Sequence, residues 1–272
     1  MRFILNTHSH TDHVTGNAVF KRVFPEARIV VHDSAFPNLE KYNKQFVANQ
    51  STSIRGSIAQ LDSEIRNGKT TRGAPIIGSM KPFWDWQLRE AKEYLAQFHP
   101  EQYASPDITF SDTVTMRWGA QTLRLIHVSE RGHSPGDVIV WIPEKRILVS
   151  GDIVVGPTPY ATYPNIPGMI ASLKRLIAMN PAVVIPGHGA IQHDVAYMQL
   201  LEQAFSTYYK AAQDAFAAKV PVKVAGDSIV FPDLDRRFTG GDETKEWAYR
   251  TFFARNLIYG LYRTLGGTPT SH

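Results

Sequence analysis

Three of the chain's ten histidines fall within six residues, in His8-Ser9-His10-Thr11-Asp12-His13, with an aspartate among them. Imidazoles crowded on one short segment repel one another when protonated and make poor core material, so packing does not account for them. Neutral imidazole and carboxylate are ligands for divalent metals. On an extended loop, residues two apart point to the same side, so His8 and His10 can converge on one cation while Asp12 and His13 turn toward a second. Three later positions carry the same chemistry: His133 in Gly132-His133-Ser134-Pro135-Gly136-Asp137, Asp152 in Ser150-Gly151-Asp152, and His188 in Pro186-Gly187-His188-Gly189. Each is presented at or just beyond the end of a strand pattern, beside glycine that permits a tight turn and close backbone approach. His32, His99, His127, His193 and His272 have no such surroundings, and no ligand role is expected of them.

The elements that must position these groups read as an α/β layer. A short apolar strand over 3–6 leads into the histidine segment, followed by a helical pattern carrying Val14, Val19, Phe20 and Val23 and a second strand over 28–32. The stretch 34–105 is polar and helix-compatible in pieces, broken by glycine and proline, and carries Phe83-Trp84-Asp85-Trp86; it reads as a helical insertion within one domain spanning 1–272. Strand patterns then run over 113–118, 122–128, 137–142 and 146–150, with turns at Gly119-Ala120 and Pro143-Glu144-Lys145. A helix over 167–179, a strand over 182–185 and a helical extension from about 194 to the end complete the pattern.

This set of motifs resembles the metallo-β-lactamase-fold hydrolases. Their pattern, histidine-x-histidine-x-aspartate-histidine and then a histidine, an aspartate and a histidine after later strands, is met by His8, His10, Asp12, His13, His133, Asp152 and His188. The resemblance covers residues 3 to about 200 and implies an αββα sandwich. It further implies that His8, His10 and His133 hold one metal, that Asp12, His13 and His188 hold a second, and that Asp152 bridges the two. The nucleophile would be a hydroxide held by the metals, and Asp12 would also orient it or carry a proton to the leaving group. Family members normally carry several strands ahead of the first histidine cluster, whereas here one precedes it. The expectation is therefore a sandwich lacking most of the usual N-terminal strands. Either the chain is a truncated form, or the insertion, the late helices or a homodimer formed through the exposed sheet edge compensates.

The absence of cysteine among 272 residues removes thiolate nucleophiles and iron–sulfur clusters, and confines metal ligation to histidine and carboxylate. Two divalent ions are implied, Zn²⁺ foremost, with iron or manganese accepted by the same ligands. The ligand set is similar to that of the dinuclear glyoxalase II and lactonase groups, so the expected reaction is cleavage of an ester, thioester, lactone or β-lactam bond in a small molecule. The rival readings are a metal-binding but catalytically weak truncated module and an iron-dependent redox member of the superfamily. For substrate contacts the candidates are Tyr160 and Tyr163 in the loop after Asp152, Arg131 beside Gly132-His133, and Trp84 in the insertion. A net charge of +4 with no run of like charges gives no footprint for nucleic acid. The chain shows no transmembrane-length apolar run and no signal-peptide core, so the default expectation is cytoplasmic, or periplasmic if a leader is missing.

Overall fold

The computed structural model describes residues 1–71, 73, 75–98, 103–130, 132–161 and 165–266. Its strands are β1 (Phe3–Leu5), β2 (Arg28–His32), β3 (Ile108–Phe110), β4 (Thr113–Trp118), β5 (Gln121–Glu130), β6 (Pro135–Ile142), β7 (Ile147–Val155) and β8 (Val183–His188). The first half contains helices α1 (Thr11–Val14), α2 (Asn17–Val23), α3 (Phe36–Asn38), α4 (Lys44–Asn67) and α5 (Lys81–Gln97). The second contains α6 (Ile166–Ala178), α7 (Ala196–Ala217), α8 (Val222–Ser228), α9 (Pro232–Thr239), α10 (Glu243–Ala248) and α11 (Arg255–Thr264). Two π-helical turns, Leu39–Asn43 and Tyr249–Ala254, run directly into α4 and α11.

Strands β1, β2 and β3 form a parallel three-stranded sheet in that order, and β4 to β8 form a five-stranded sheet, antiparallel except for the β7–β8 pair. Side chains alternate across each strand, and the alternation assigns the layers. In β2, Val30 packs with Leu125, Val138 and Val140 between the sheets, while Ile29 and Val31 pack with Val14, Ala35 and Leu39 on the outer face. In β5 and β6, Ile126, Ile139 and Trp141 face the opposite way, into the largest apolar cluster with α6, α7 and the C-terminal helices. The result is an αββα sandwich with a reduced strand set, as the resemblance implies.

Three features differ from the sequence expectation. The histidine segment is not extended throughout, because Thr11–Val14 closes a helical turn. Ile108–Phe110 pairs with β2, a three-residue strand too short to show a period. The extension beyond α7 is cut into short helices, two of which, α8 and α9, are only seven and eight residues long. No helix among the described residues is long and apolar enough to cross a membrane.

Candidate metal centre

The seven residues singled out by the sequence converge at one end of the sandwich. His8 and His10 follow β1, Asp12 and His13 lie in the first turn of α1, and His133 sits in the turn between β5 and β6. Asp152 lies within β7, and His188 ends β8. Two groups result: ligand atoms of His8, His10, His133 and Asp152 all lie within 4.8 Å of one another, as do those of Asp12, His13 and His188. Asp152 faces both, with carboxylate oxygens 3.3 Å from His133 Nε2, 3.3 Å from His13 Nε2 and 3.5 Å from His188 Nε2. Asp12 Oδ2 is 3.1 Å from both His13 Nε2 and His188 Nε2.

This donor set fits two cations. His133 Nε2 approaches His10 Nδ1 to 2.9 Å, and His13 Nε2 approaches His188 Nε2 to 3.2 Å, so ring nitrogens point at one another across shared centres. His8 Nε2 is buried and has no hydrogen-bond partner within the protein, which costs free energy unless a Lewis acid takes its lone pair. The Thr7 hydroxyl, 3.1 Å from His8 Nδ1, occupies the other ring nitrogen and leaves Nε2 directed inward.

Burial divides the histidines electrostatically. Burial, reinforced by the neighbouring His133, lowers His8 to about 2, and burial lowers His133 to about 4; His10 is lowered by the same cause. These three rings are neutral at physiological pH, the state that binds metal. Burial also acts to lower His13, but hydrogen bonds to Asp12 and Asp152 outweigh it and raise the ring to about 9. Hydrogen bonds to the same two carboxylates raise His188 to about 10. The partner carboxyls move the other way. Hydrogen bonds from His13 and His188 hold Asp12 far below the ordinary carboxylate range, and for Asp152 they overcome the upward pull of burial.

Several positioning residues carry no ligand chemistry and were not identified from sequence. Asp137, buried beneath the His133 turn, accepts hydrogen bonds from the His133 N–H at 2.7 Å, the Ser134 N–H at 2.9 Å and the Ser134 hydroxyl at 2.7 Å. Burial pushes its carboxyl up to about 6 despite those donors. The local signal was an aspartate four residues after His133 in a Gly-His-Ser-Pro-Gly turn, the spacing at which a side chain caps its own backbone. Gly187 leaves room for Asp152, because a Cβ at 187 would overlap the Asp152 carboxylate.

A cavity of about 590 Å³, within the size range of small-molecule sites, opens over the ligand groups. Ser9, Asn43 and Asp12 line it on the polar side, and Val155, Pro159, Tyr160 and Phe252 form an apolar wall. Phe252 comes from the second π-helical turn. Its ring lies 5.8 Å from that of Tyr160, and its carbonyl accepts the Ala161 N–H at 2.9 Å. Nothing in the sequence distinguishes Phe252 from the other aromatics of the tail. Of the four candidate substrate residues, Tyr160 lines the cavity. Trp84 lies elsewhere, 2% exposed, with its indole N–H bonded to Glu64 Oε2 at 3.1 Å and its ring 4.8 Å from that of Trp247. Arg131 and Tyr163 lie outside the described residues.

Comparison with known proteins gives a consistent picture. A family model described as the metallo-beta-lactamase superfamily matches residues 2–188. A linear primary-alkylsulfatase from Pseudomonas sp. (strain ATCC 19151) is 22% identical over 204 residues, which make up 70% of this chain and 34% of that protein. The chain thus spans about a third of the length of the curated relative it matches. Among solved structures, the sec-alkylsulfatase Pisa1 from Pseudomonas sp. superposes with a TM-score of 0.63 at 11% identity, over 99% of this chain and 42% of its own. A metallo-beta-lactamase family protein from Thermus thermophilus gives 0.53 at 18% identity, over 99% of this chain and 78% of its own.

Proposed function

The chain belongs to the metallo-beta-lactamase superfamily, and from that premise we propose that it is a metal-dependent hydrolase acting on a small molecule with an ester-type bond. The observation that carries this reading is the pair of ligand groups sharing Asp152 beside an open cavity. His8, His10 and His133 would hold one ion and Asp12, His13 and His188 the other, with Asp152 between them; Zn²⁺ is the first choice for such ligands. Two divalent ions so held would lower the pKa of a water molecule from about 15.7 to about 7 and polarise the oxygen of the scissile bond.

The chain's own residues supply the rest. Asp12, about half exposed and lining the cavity, would orient the attacking water through its ionised carboxylate. Val155, Pro159 and Phe252 offer an apolar surface to the substrate's non-reacting part, with Tyr160 on the same wall. Carboxylic ester, thioester, lactone and β-lactam bonds all suit such a site. The likeness to a linear primary-alkylsulfatase favours a sulfate ester as a second reading.

The test is metal stoichiometry on the purified chain, followed by assay against aryl esters, thioesters, homoserine lactones, nitrocefin, phosphodiesters and alkyl sulfates. One class should turn over, with activity lost on chelation and regained on adding metal. His133→Ala should lose metal and turnover together, whereas His193→Ala, at an exposed position away from the ligand groups, should change neither. Silence across the whole panel from protein carrying two ions would overturn the hydrolase reading, and full metal content in His133→Ala would overturn the ligand assignment.

A further inference from the structure

The segment that follows β2 touches two of the segments that carry candidate metal ligands, the one over 8–13 and the one at His133. At its start, Ala35 packs against Gly136 of the His133 turn: a Cβ on Gly136 would lie 2.7 Å from the Ala35 nitrogen, and Gly136 has φ +84°. At its end, Asn43 closes the first π-helical turn and donates from Nδ2 to the carbonyl of Ser9 at 2.7 Å. Ser9 stands between His8 and His10. Asn43 is 4% exposed and lines the cavity beside Ser9 and His10. Between these two contacts, Leu39 is fixed in the apolar cluster with Val14, Ile29 and Val31. π-Helical turns are rare and cluster at functional sites. Both of those among the described residues bring a residue to the same cavity, Asn43 and Phe252.

We propose that Asn43 is a positioning residue of the metal centre, through which the segment inserted between β2 and β3 fixes the backbone carrying His8 and His10. The inference rests on the metal-centre reading above. A carbonyl held by a side-chain amide from a rigid, buried turn fixes the Ser9–His10 peptide plane, and that plane sets the backbone from which the His10 imidazole projects and, across Ser9, constrains that of His8. The insertion is therefore part of the site rather than an appendage to it. Loss of an outer partner of a metal ligand costs about 10–100-fold in metal affinity, and Asn43, which reaches His8 and His10 through the Ser9 backbone, belongs at the lower end of that range.

The test uses Co²⁺ alone as the probe, read by its visible absorption on the metal-free full chain, so no substrate is needed. Asn43→Leu keeps the volume and removes the donor, and Asn43→Ala serves if the leucine variant does not fold. The control is Gln50→Ala, which removes an equally buried amide that bonds Tyr94 within the inserted helices, away from the ligand groups. Both Asn43 variants should bind Co²⁺ at least about tenfold more weakly and exchange the amide hydrogens of residues 8–13 faster, with Gln50→Ala matching the parent in both. Parental affinity and exchange in the Asn43 variants would overturn the proposal. So would an equal loss in Gln50→Ala, which would mark a general loosening of the insertion. A parent chain that binds no Co²⁺ overturns the metal-centre reading and this inference with it. A parent that binds Co²⁺ but hydrolyses nothing overturns only the functional reading.

Discussion

Replacing Asp137 with alanine should be among the most damaging changes that touch no ligand. The carboxylate accepts the His133 and Ser134 N–H groups and the Ser134 hydroxyl, and the site is buried. Alanine leaves the two backbone donors without an acceptor. Each orphaned buried donor costs about 1–3 kcal/mol, giving about 2–6 kcal/mol gross, and water entering the vacated space returns part of it. A net loss of about 2–4 kcal/mol corresponds to a drop in Tm of about 5–15 °C for a domain of this size. The same N–H groups set the path of the turn that aims His133, so metal affinity should fall by about 10–100-fold. Thermal unfolding in chelator isolates the first effect, since bound metal would otherwise stabilise by mass action. Cobalt titration isolates the second. Asp137→Asn, which keeps one carbonyl oxygen as an acceptor, should fall between the alanine variant and the parent. If Asp137→Ala melts within about 1–2 °C of the parent and binds Co²⁺ with parental affinity, the turn does not depend on this carboxylate and the reasoning fails.

Gly187→Ala should disable the centre while sparing the rest of the sandwich, because its methyl group would displace the Asp152 carboxylate that faces both ligand groups; two ions bound to this variant by elemental analysis would contradict that. Glu64 predicts an acid limb in stability. Burial alone would raise its carboxyl, but the Thr71 N–H at 2.8 Å, the Gln60 amide at 3.0 Å and the Trp84 indole at 3.1 Å outweigh burial and lower it. A folded-state pKa below the unfolded value contributes stability that is present above the unfolded value and lost as pH falls through the folded one. Glu64→Gln should therefore be less stable at pH 7 by about 1–2 kcal/mol, and the gap to the parent should narrow as pH drops below about 4.5; a gap independent of pH in urea unfolding would refute this.

Much of the candidate centre was legible because each candidate ligand sits in its own short motif. His8 to His13 declare themselves by residue type and spacing, and His133, Asp152 and His188 by glycine at strand ends. The strands that present them were legible too, because β5 to β8 are β-prone apolar runs bounded by turn residues. What escaped was short or non-periodic. β3 has three residues, and its place beside β2 depends on a partner 78 positions away along the chain, with Val30 paired to Ile108. Trp84 looked available for a substrate and is instead packed between Glu64 and Trp247, because an amphipathic ring reads the same in sequence whether its N–H meets a ligand or a buried carboxylate.

The sequence by itself determined which atoms could bind metal and confined them to nitrogen and oxygen donors, because those properties belong to residue types and to contacts a few positions apart. Tertiary structure decided how the donors are shared. His13 and His188 are 175 residues apart, yet their ring nitrogens lie 3.2 Å from each other, and only the stacking of two sheets with a common functional end brings that about. The same stacking placed Asp152 between the groups, kept the His8, His10 and His133 rings neutral while leaving His13 and His188 basic, and supplied Asn43 and Phe252 to the cavity from turns with no motif. Burial and charge environment are sums over neighbours from distant parts of the chain, and no local pattern encodes them.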